Sequence, residues 1–455
     1  MTNAVTTQHE PSWQTHPEAF RLVCNGVADL KKSVPMLRTL SERMLQETGT
    51  ELLNWTDRLT VDVTAAELTY CGFELAETCG QDCYRHPRAQ LPTLVENRGK
   101  KMLAIKVESV VDFLEAHRMD SRHQILGSAG SHVRKCCIHC DREAEVWIVE
   151  RHGSVRWDVP DASPDLLERS VWHFERFRLR RREFDSDIAG FEHARQLIVE
   201  AIHDVGRDPA ADLFFAAERA YWQNRNDAGR VQRMRQCRLG LGWANHDHHT
   251  YRSSRASFPD LVRTLELLGM ECRERFYAGR EAGWGAQVME QPACGVVVFA
   301  DVDLGAEEIV QDFAHQPMSQ RDTLGTVGLW CALHGEAFLQ AGLHHLECEF
   351  EFDAARDQLQ QQGVASMNPF TDLHHLRQAF TVGQRWSVCP RRAQRAVEAG
   401  WITPQQAEKF VREGTLGSHL EILQRRDGYK GFNPKGISDI ITETDPRNET
   451  LQSKL

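Results

Sequence analysis

The sequence predicts an α+β protein, and three observations carry that prediction. From about residue 16 to 160 helical and strand patterns alternate, and from 163 to about 238 apolar residues recur at helical spacing. After LGLGW, near 240, strand-like runs follow one another between glycine-bearing turns. A chain of 455 residues exceeds what one core usually organises. The expected division is an N-terminal α/β domain over 16–160, a helical connecting region over 163–238, and a third domain over 240–440 that gathers the chemistry-bearing residues.

In the first part, FRLVCNGVADLKKSVPMLRTLSERML reads as amphipathic helix and KMLAIKV as a buried strand. The middle part carries PDLLERSVWHFERFRLRRREF, FEHARQLIVEAIHDV and AADLFFAAERAYWQNRNDAGRVQRMRQ. Its basic run RFRLRRREF resembles a nucleic-acid patch, but the aromatics fit an apolar stripe and acids flank it, so a solvated or partner-facing helix surface is expected. A β-rich run, an acid and an amphipathic helix recur at 103–117, 296–313 and 348–363, as repeated strand-and-helix modules would.

Composition narrows the function. Hydrophobic residues at 41% and charged residues at 26% describe a globular chain, and a net charge of −11 disfavours phosphate-backbone binding. No run approaches the roughly 18 apolar residues of a membrane span, and the N-terminus has no signal-peptide pattern, so no nucleic-acid or membrane partner is expected and the cytoplasm is the expected location. Thirteen scattered cysteines fit buried thiols better than a disulfide framework. The phosphate loop G-x-x-x-x-G-K-[ST] and the serine elbow G-x-S-x-G are both missing from the sequence.

The stretch GWANHDHHTYRSSR (242–255) raises a metal site. Two histidines and one carboxylate on one face leave three coordination positions of a non-haem iron open. Read as a strand, 246–254 puts His246, His248, Thr250, Arg252 and Ser254 on one face, with Asp247 and His249 facing away. Arg252 is then placed to clamp the far carboxylate of a small anion held at His248. In AGLHHLECEFEF alternation puts His344 with Leu346, Cys348 and Phe350 on an apolar face, and His345 with Glu347 and Glu349 on a wet one. His345→Ala is therefore expected to be nearly silent, whereas a buried His344, taken alone, is more often a hydrogen-bonded core residue than a ligand and needs a partner. Glu421, set between Leu420 and Ile422, is the carboxylate candidate, because a carboxylate within an apolar strand is costly unless paired or metal-bound; a salt bridge to Arg425 is the alternative.

The order His248, His344, Glu421 resembles the 2-oxoadipate dioxygenase/decarboxylase family, also called hydroxyglutarate synthases, of the vicinal oxygen chelate superfamily. DHHTYRS is similar to the family's metal histidine followed four positions on by a substrate-binding arginine. HHLECEFEFDAARDQL is similar to its second histidine strand, and LEILQRRDGYKGFNPKG to its carboxylate strand. The likeness spans about residues 240 to 440; it departs from the family at Glu347 and Cys348, in a longer turn before FNPKG, and in the 240 or so residues before the first ligand. The resemblance implies βαβββ modules forming a cupped mixed sheet, Fe(II) held by His248, His344 and Glu421, and Arg252, Gln424, Arg425 and Lys435 at the substrate. It implies oxidative decarboxylation of a small 2-oxo acid by O2 to a hydroxy acid and CO2. For the N-terminal part it leaves two readings, a module without its ligands or a separate domain.

Several alternatives stand beside this. Cys136, Cys137, His139 and Cys140, with Cys79 and Cys83, could hold structural zinc. Glu290, Asp301 and Asp303 are rival carboxylates. The same scaffold also serves ring-cleaving dioxygenases, glyoxalase-like isomerases and non-catalytic small-ligand-binding proteins.

Overall fold

Two mixed sheets of the same topology, with a helical layer between them in sequence, make up the protein. The structure is a computed structural model and describes residues 13–76, 82–97, 99–119 and 122–448. The chain begins with α1 (Pro17–Ser33) and α2 (Pro35–Thr48); a proline opens each, and Pro35 divides the long amphipathic run in two. The first sheet follows as β1 (Thr56–Val61), α3 (Ala65–Tyr70), β2 (Glu74–Ala76), β3 (Cys83–Arg85) and β4 (Thr93–Glu96). It continues with β5 (Lys101–Val107), α4 (Val110–Ala116), β6 (Ile125–Leu126), β7 (Val133–Cys140) and β8 (Ala144–Arg151).

Four helices come next: α5 (Leu166–Arg178), α6 (Asp187–Val205), α7 (Arg207–Gln223) and α8 (Asp227–Cys237). The basic run between α5 and α6 is a correction to expectation. Arg180 and Arg182 are buried and converge on Glu218 at 3.0 and 2.5 Å, so they face neither solvent nor a partner.

The second sheet begins with β9 (His246–Arg252), α9 (Phe258–Leu267), β10 (Glu271–Tyr277), β11 (Trp284–Gln291) and β12 (Val296–Asp303), then α10 (Thr326–His334). Its second half is β13 (His345–Glu349), α11 (Phe352–Gln361), β14 (Thr371–Leu373), β15 (Leu376–Phe380), β16 (Gln384–Trp386), α12 (Pro390–Glu398), α13 (Pro404–Glu413) and β17 (Thr415–Arg425). The last helix is α14 (Pro434–Thr444).

Strand order shows how the halves are built. The first sheet runs β2-β3-β4-β1-β5-β8-β7-β6 and the second β10-β11-β12-β9-β13-β17-β15-β14, with β16 on β17. Each sheet is thus two βαβββ modules joined through one central antiparallel pair, β1–β5 or β9–β13, and each central strand also pairs in parallel with its own module's last strand. This is an α+β fold of vicinal-oxygen-chelate type. The recurrences at 103–117 and 348–363 mark β5–α4 and β13–α11, whereas 296–313 is strand β12 followed by turns, because AEEIVQDF forms no helix.

The faces turned away from the helices are filled differently. In the first sheet that face carries Met102, Ala104 and Trp147 beside Trp157, while Leu59, Leu103, Ile105 and Ile148 pack with Val110 and Phe113 of α4 and with Ala19, Val23, Val27 and Leu30 of α1 in one apolar core. The helix lies so close that a Cβ on Gly26 would meet Leu59 Cδ2 at 2.9 Å. In the second sheet the helix-bearing face packs Leu346, Cys348, Leu420 and Ile422 into the main core against the helical layer, and the opposite face carries polar side chains.

Candidate metal centre

The centre is built where β9, β13 and β17 lie side by side. Residue 345 pairs with 250 and with 419, and Glu347 pairs with Glu421. Strand alternation then turns His248, Thr250 and Arg252, His345 and Glu347, and His419 and Glu421 toward one cavity. Ligand atoms of His248, His345, Glu347 and Glu421 all lie within 4.8 Å of one another, and all four residues are buried.

His248 has both ring nitrogens engaged. Nδ1 sits 3.0 Å from Asp247 Oδ1 and Nε2 sits 2.6 Å from Glu347 Oε2. Burial alone would depress its basicity, but the Glu347 and Asp247 carboxylates outweigh it and the imidazole is pushed up to about 9. Asp247 is gripped by Arg425, whose Nε and Nη2 donate to its two oxygens at 3.1 and 3.2 Å, and by Gln90 Nε2 at 2.6 Å. Although burial opposes it, this pairing holds the Asp247 carboxyl well below the usual range.

His345 Nε2 lies 2.7 Å from Thr250 Oγ1 and 3.1 Å from Glu421 Oε2, and its Nδ1 has no protein partner. Gln378 Nε2 donates to Glu421 Oε1 at 3.0 Å. Burial and then the neighbouring Glu347 raise the Glu421 carboxyl well above its ordinary range. Glu347 is fully buried, and neither of its oxygens accepts a well-aligned hydrogen bond.

Two adjacent buried carboxylates with two imidazoles are an unfavourable cluster without a cation, since like charges in low dielectric cannot both ionise cheaply. A nitrogen-and-oxygen donor set without sulfur suits a divalent first-row transition metal. The residues present therefore fit such an ion.

The structure places the other expected residues as follows. His344 lies outside the group of four: its Nδ1 sits 3.0 Å from the Gly417 carbonyl, and its ring packs against Trp330 with centroids 5.4 Å apart. Gly417 has to be glycine there, because a Cβ would fall 2.0 Å from the Trp386 ring. The neighbouring His345 stands in the group instead and is only 9% exposed, so the expectation that it points to water is overturned. Alternation separated the right sets, but the polar set faces a closed cavity rather than solvent.

Arg252 lines the cavity as expected. It is 2% exposed, its Nε is unpartnered, and its guanidinium carbon stands 5.7 Å from the Trp330 ring centre. Arg425 is engaged by Asp247 and the Gly431 carbonyl, with Glu347 Oε1 3.9 Å from its Nη2, rather than by Glu421. Gln424 lines a separate surface hollow with Arg426 and Asp427. Lys435 opens α14, but its side chain lies outside the described residues. His246, expected beside His248, instead turns to a different cavity.

Of the rival carboxylates, Glu290 is paired with Lys430 at 3.1 Å and Arg273 at 3.2 Å. Asp303 accepts from the backbone N–H groups of Gly325 and Gly328 at the start of α10. Asp301 lines the metal-site cavity, and burial pushes its carboxyl up to about 7. Cys136 and Cys137 point to opposite sides of β7, Cys137 Sγ is turned to the His139 carbonyl, and among the described residues these groups form no zinc-like cluster. Cys79 lies outside the described residues.

Glu347 and Asp247 were missed as functional residues. The available signal was parity: in HLECE the histidine and both acids alternate with apolar residues. The cavity itself is closed and small, about 30 Å3, with Phe299, Phe380, Phe432, Ile437 and Ile441 over the polar floor. That is room for about two waters.

No family model matches the sequence, and no curated protein matches it. Similar solved structures include methylmalonyl-CoA epimerase from Mycobacterium tuberculosis, at 13% identity over 40% of this chain and 88% of that one, TM-score 0.23. A triple mutant of 4-hydroxymandelate synthase from Streptomyces coelicolor is similar at 12% identity over 75% of this chain and 97% of that one, TM-score 0.30. Among the described residues no helix is long and apolar enough to cross a membrane.

Proposed function

We propose that the protein is an Fe(II)-dependent dioxygenase and decarboxylase of a small 2-oxo acid, with His248, His345 and Glu421 holding the metal. The observation that carries this reading is Arg252: a buried guanidinium that forms no ion pair among the described residues, on the cavity face of β9, four residues from His248. A buried guanidinium whose neighbouring acid, Asp301, is itself pushed up to about 7 by burial, standing beside a metal-ligand cluster, is a receptor for a carboxylate. Fe(II) bound there would supply Lewis-acid polarisation of the 2-oxo acid and electrons to O2.

The chain's own residues do the rest. Arg252 fixes the distal carboxylate and so sets which carbon approaches the metal. Asp247, clamped by Arg425, orients the His248 ring, and Gln378 and Thr250 hold Glu421 and His345. Asp301 can hold a proton near neutral pH at its unpartnered Oδ1. Phe299, Phe380, Phe432 and the α14 side chains exclude water, and a substrate larger than the present cavity enters only when the 432–444 segment moves. Overall, the C1 carboxylate leaves as CO2 with its own oxygens, one atom of O2 enters the new carboxylate at the former keto carbon, and the other becomes the hydroxyl of the shortened acid.

Glu347 favours a second reading. If four protein groups bind the ion, two positions remain in an octahedron; a chelating 2-oxo acid fills both and leaves none for O2. A Lewis-acid isomerase of glyoxalase type on the same residues then follows.

Anaerobic loading with Fe(II), followed by O2 uptake and CO2 release over a panel of 2-oxo acids, tests the first reading. Stoichiometric O2 and CO2 support it. Substrate conversion without O2 uptake moves the assignment to the isomerase, and binding without conversion removes both.

A further inference from the structure

A larger cavity of about 400 Å3 lies on the other side of β9, between the first sheet, α7 and the turn joining β11 to β12. Its size is that of a small-molecule site. Five cations, Arg58, Arg85, Lys106, Arg151 and Arg219, line it against three acids, Asp57, Glu108 and Asp212.

Each of those acids already has a cation. Asp57 is held by Arg151 through two contacts of 2.7 Å, Asp212 lies 3.3 Å from His152 Nδ1, and Glu108 pairs with Arg233. Arg219 is 6% exposed and among the described residues forms no ion pair; it donates from Nη1 to His249 Nε2 at 3.3 Å, while its Nε has no partner there. Among the described residues Lys106 Nζ has neither a hydrogen bond nor an ion pair. Burial and the positive charges of Arg151 and Arg219 depress its basicity, against the pull of Asp57 and Glu349. His246 Nδ1 is a further unpartnered polar atom in the wall. Phe174, Leu213 and Trp243 supply apolar wall between these groups.

Two unmatched cations in a preformed half-apolar hollow are costly to maintain unless an anion joins them. We propose that this cavity is a second ligand site, separate from the metal centre, for a small organic molecule bearing at least two anionic oxygens. Arg219 supplies a planar fork and Lys106 a point charge. Carboxylate and phosphate oxygens share this chemistry.

The test is calorimetric titration of the full-length chain carrying Arg252→Met, which removes the unmatched guanidinium of the metal-site cavity. The probes are succinate and inorganic phosphate. We expect at least one of them to bind with a stoichiometry of one, and the tighter of the two to identify the ligand chemistry. Adding Lys106→Met, and separately Arg219→Met, weakens that binding at least tenfold. Should Arg219→Met fail to fold, the half-buried Lys106 decides alone. Binding of neither probe, or equal affinity with and without Lys106→Met, overturns the proposal.

Discussion

His248 Nδ1 donates to Asp247 Oδ1 at 3.0 Å, although the two residues are neighbours on one strand and alternation alone would send them to opposite faces. The register shift between β9 and β13 at Leu346 and Cys348 brings them round. Carboxylates that orient metal-binding histidines typically carry 10–100-fold of metal affinity. Asp247→Asn is expected to lose roughly that much, read by competitive titration with a chromophoric chelator; unchanged affinity would show that the contact orients nothing.

The two adjacent histidines separate cleanly. His345→Ala should purify with little or no metal after anaerobic reconstitution, whereas His344→Ala should keep near-stoichiometric metal, because His344 stands outside the group of four whose ligand atoms converge. Metal analysis of the two variants side by side checks this, and the reverse pattern would restore His344 as the ligand.

Arg252→Met should retain metal yet bind a 2-oxo dicarboxylate roughly 10–100-fold more weakly, the value of a charged hydrogen-bonded contact. A monocarboxylic 2-oxo acid should lose much less. Equal losses for both acids would argue against a contact to the distal carboxylate.

Glu336 gives a pH dependence remote from the metal group. Burial pushes its carboxyl up to about 7, against the hydrogen bonds it accepts from Ser253 and Ser254. A folded-state value above the unfolded one stabilises the protein below the unfolded value near 4.5, and that contribution is lost as pH rises toward 7, by up to roughly 3 kcal/mol. Urea unfolding at pH 5 and pH 8 should therefore show a smaller drop for Glu336→Gln than for wild type; parallel drops would contradict it.

Much of this was legible in the sequence, for identifiable reasons. His248, Arg252 and Glu421 stood out because polar groups in apolar strands need a cause, and the strand runs around them became β9 and β17. His345 and Glu347 were misread because alternation separates two faces without saying which one is wet. In a sheet covered on both sides the apolar set packs the core, and the polar set lines the hollow. Arg425 followed the same logic: its nearness in sequence to Glu421 suggested a partner, while the actual partner, Asp247, lies 178 positions away and depends on strand order. The duplicated topology was only half visible, since two of three recurrences marked module starts and the others, β1–α3 and β9–α9, share no such pattern.

The two sheets also differ in what holds them shut. The face of the first sheet turned away from its helices is filled by Met102, Ala104, Trp147 and Trp157, with Arg58 and Lys135 stacked on the Trp157 indole; that of the second keeps imidazoles, carboxylates and a guanidinium in its hollow. Chelation should consequently loosen the molecule unevenly. Amide exchange ought to quicken along β9, β13 and β17 while β1, β5 and β8 keep their protection, so the N-terminal copy would act as the permanent scaffold on which the ion-dependent copy is assembled and emptied.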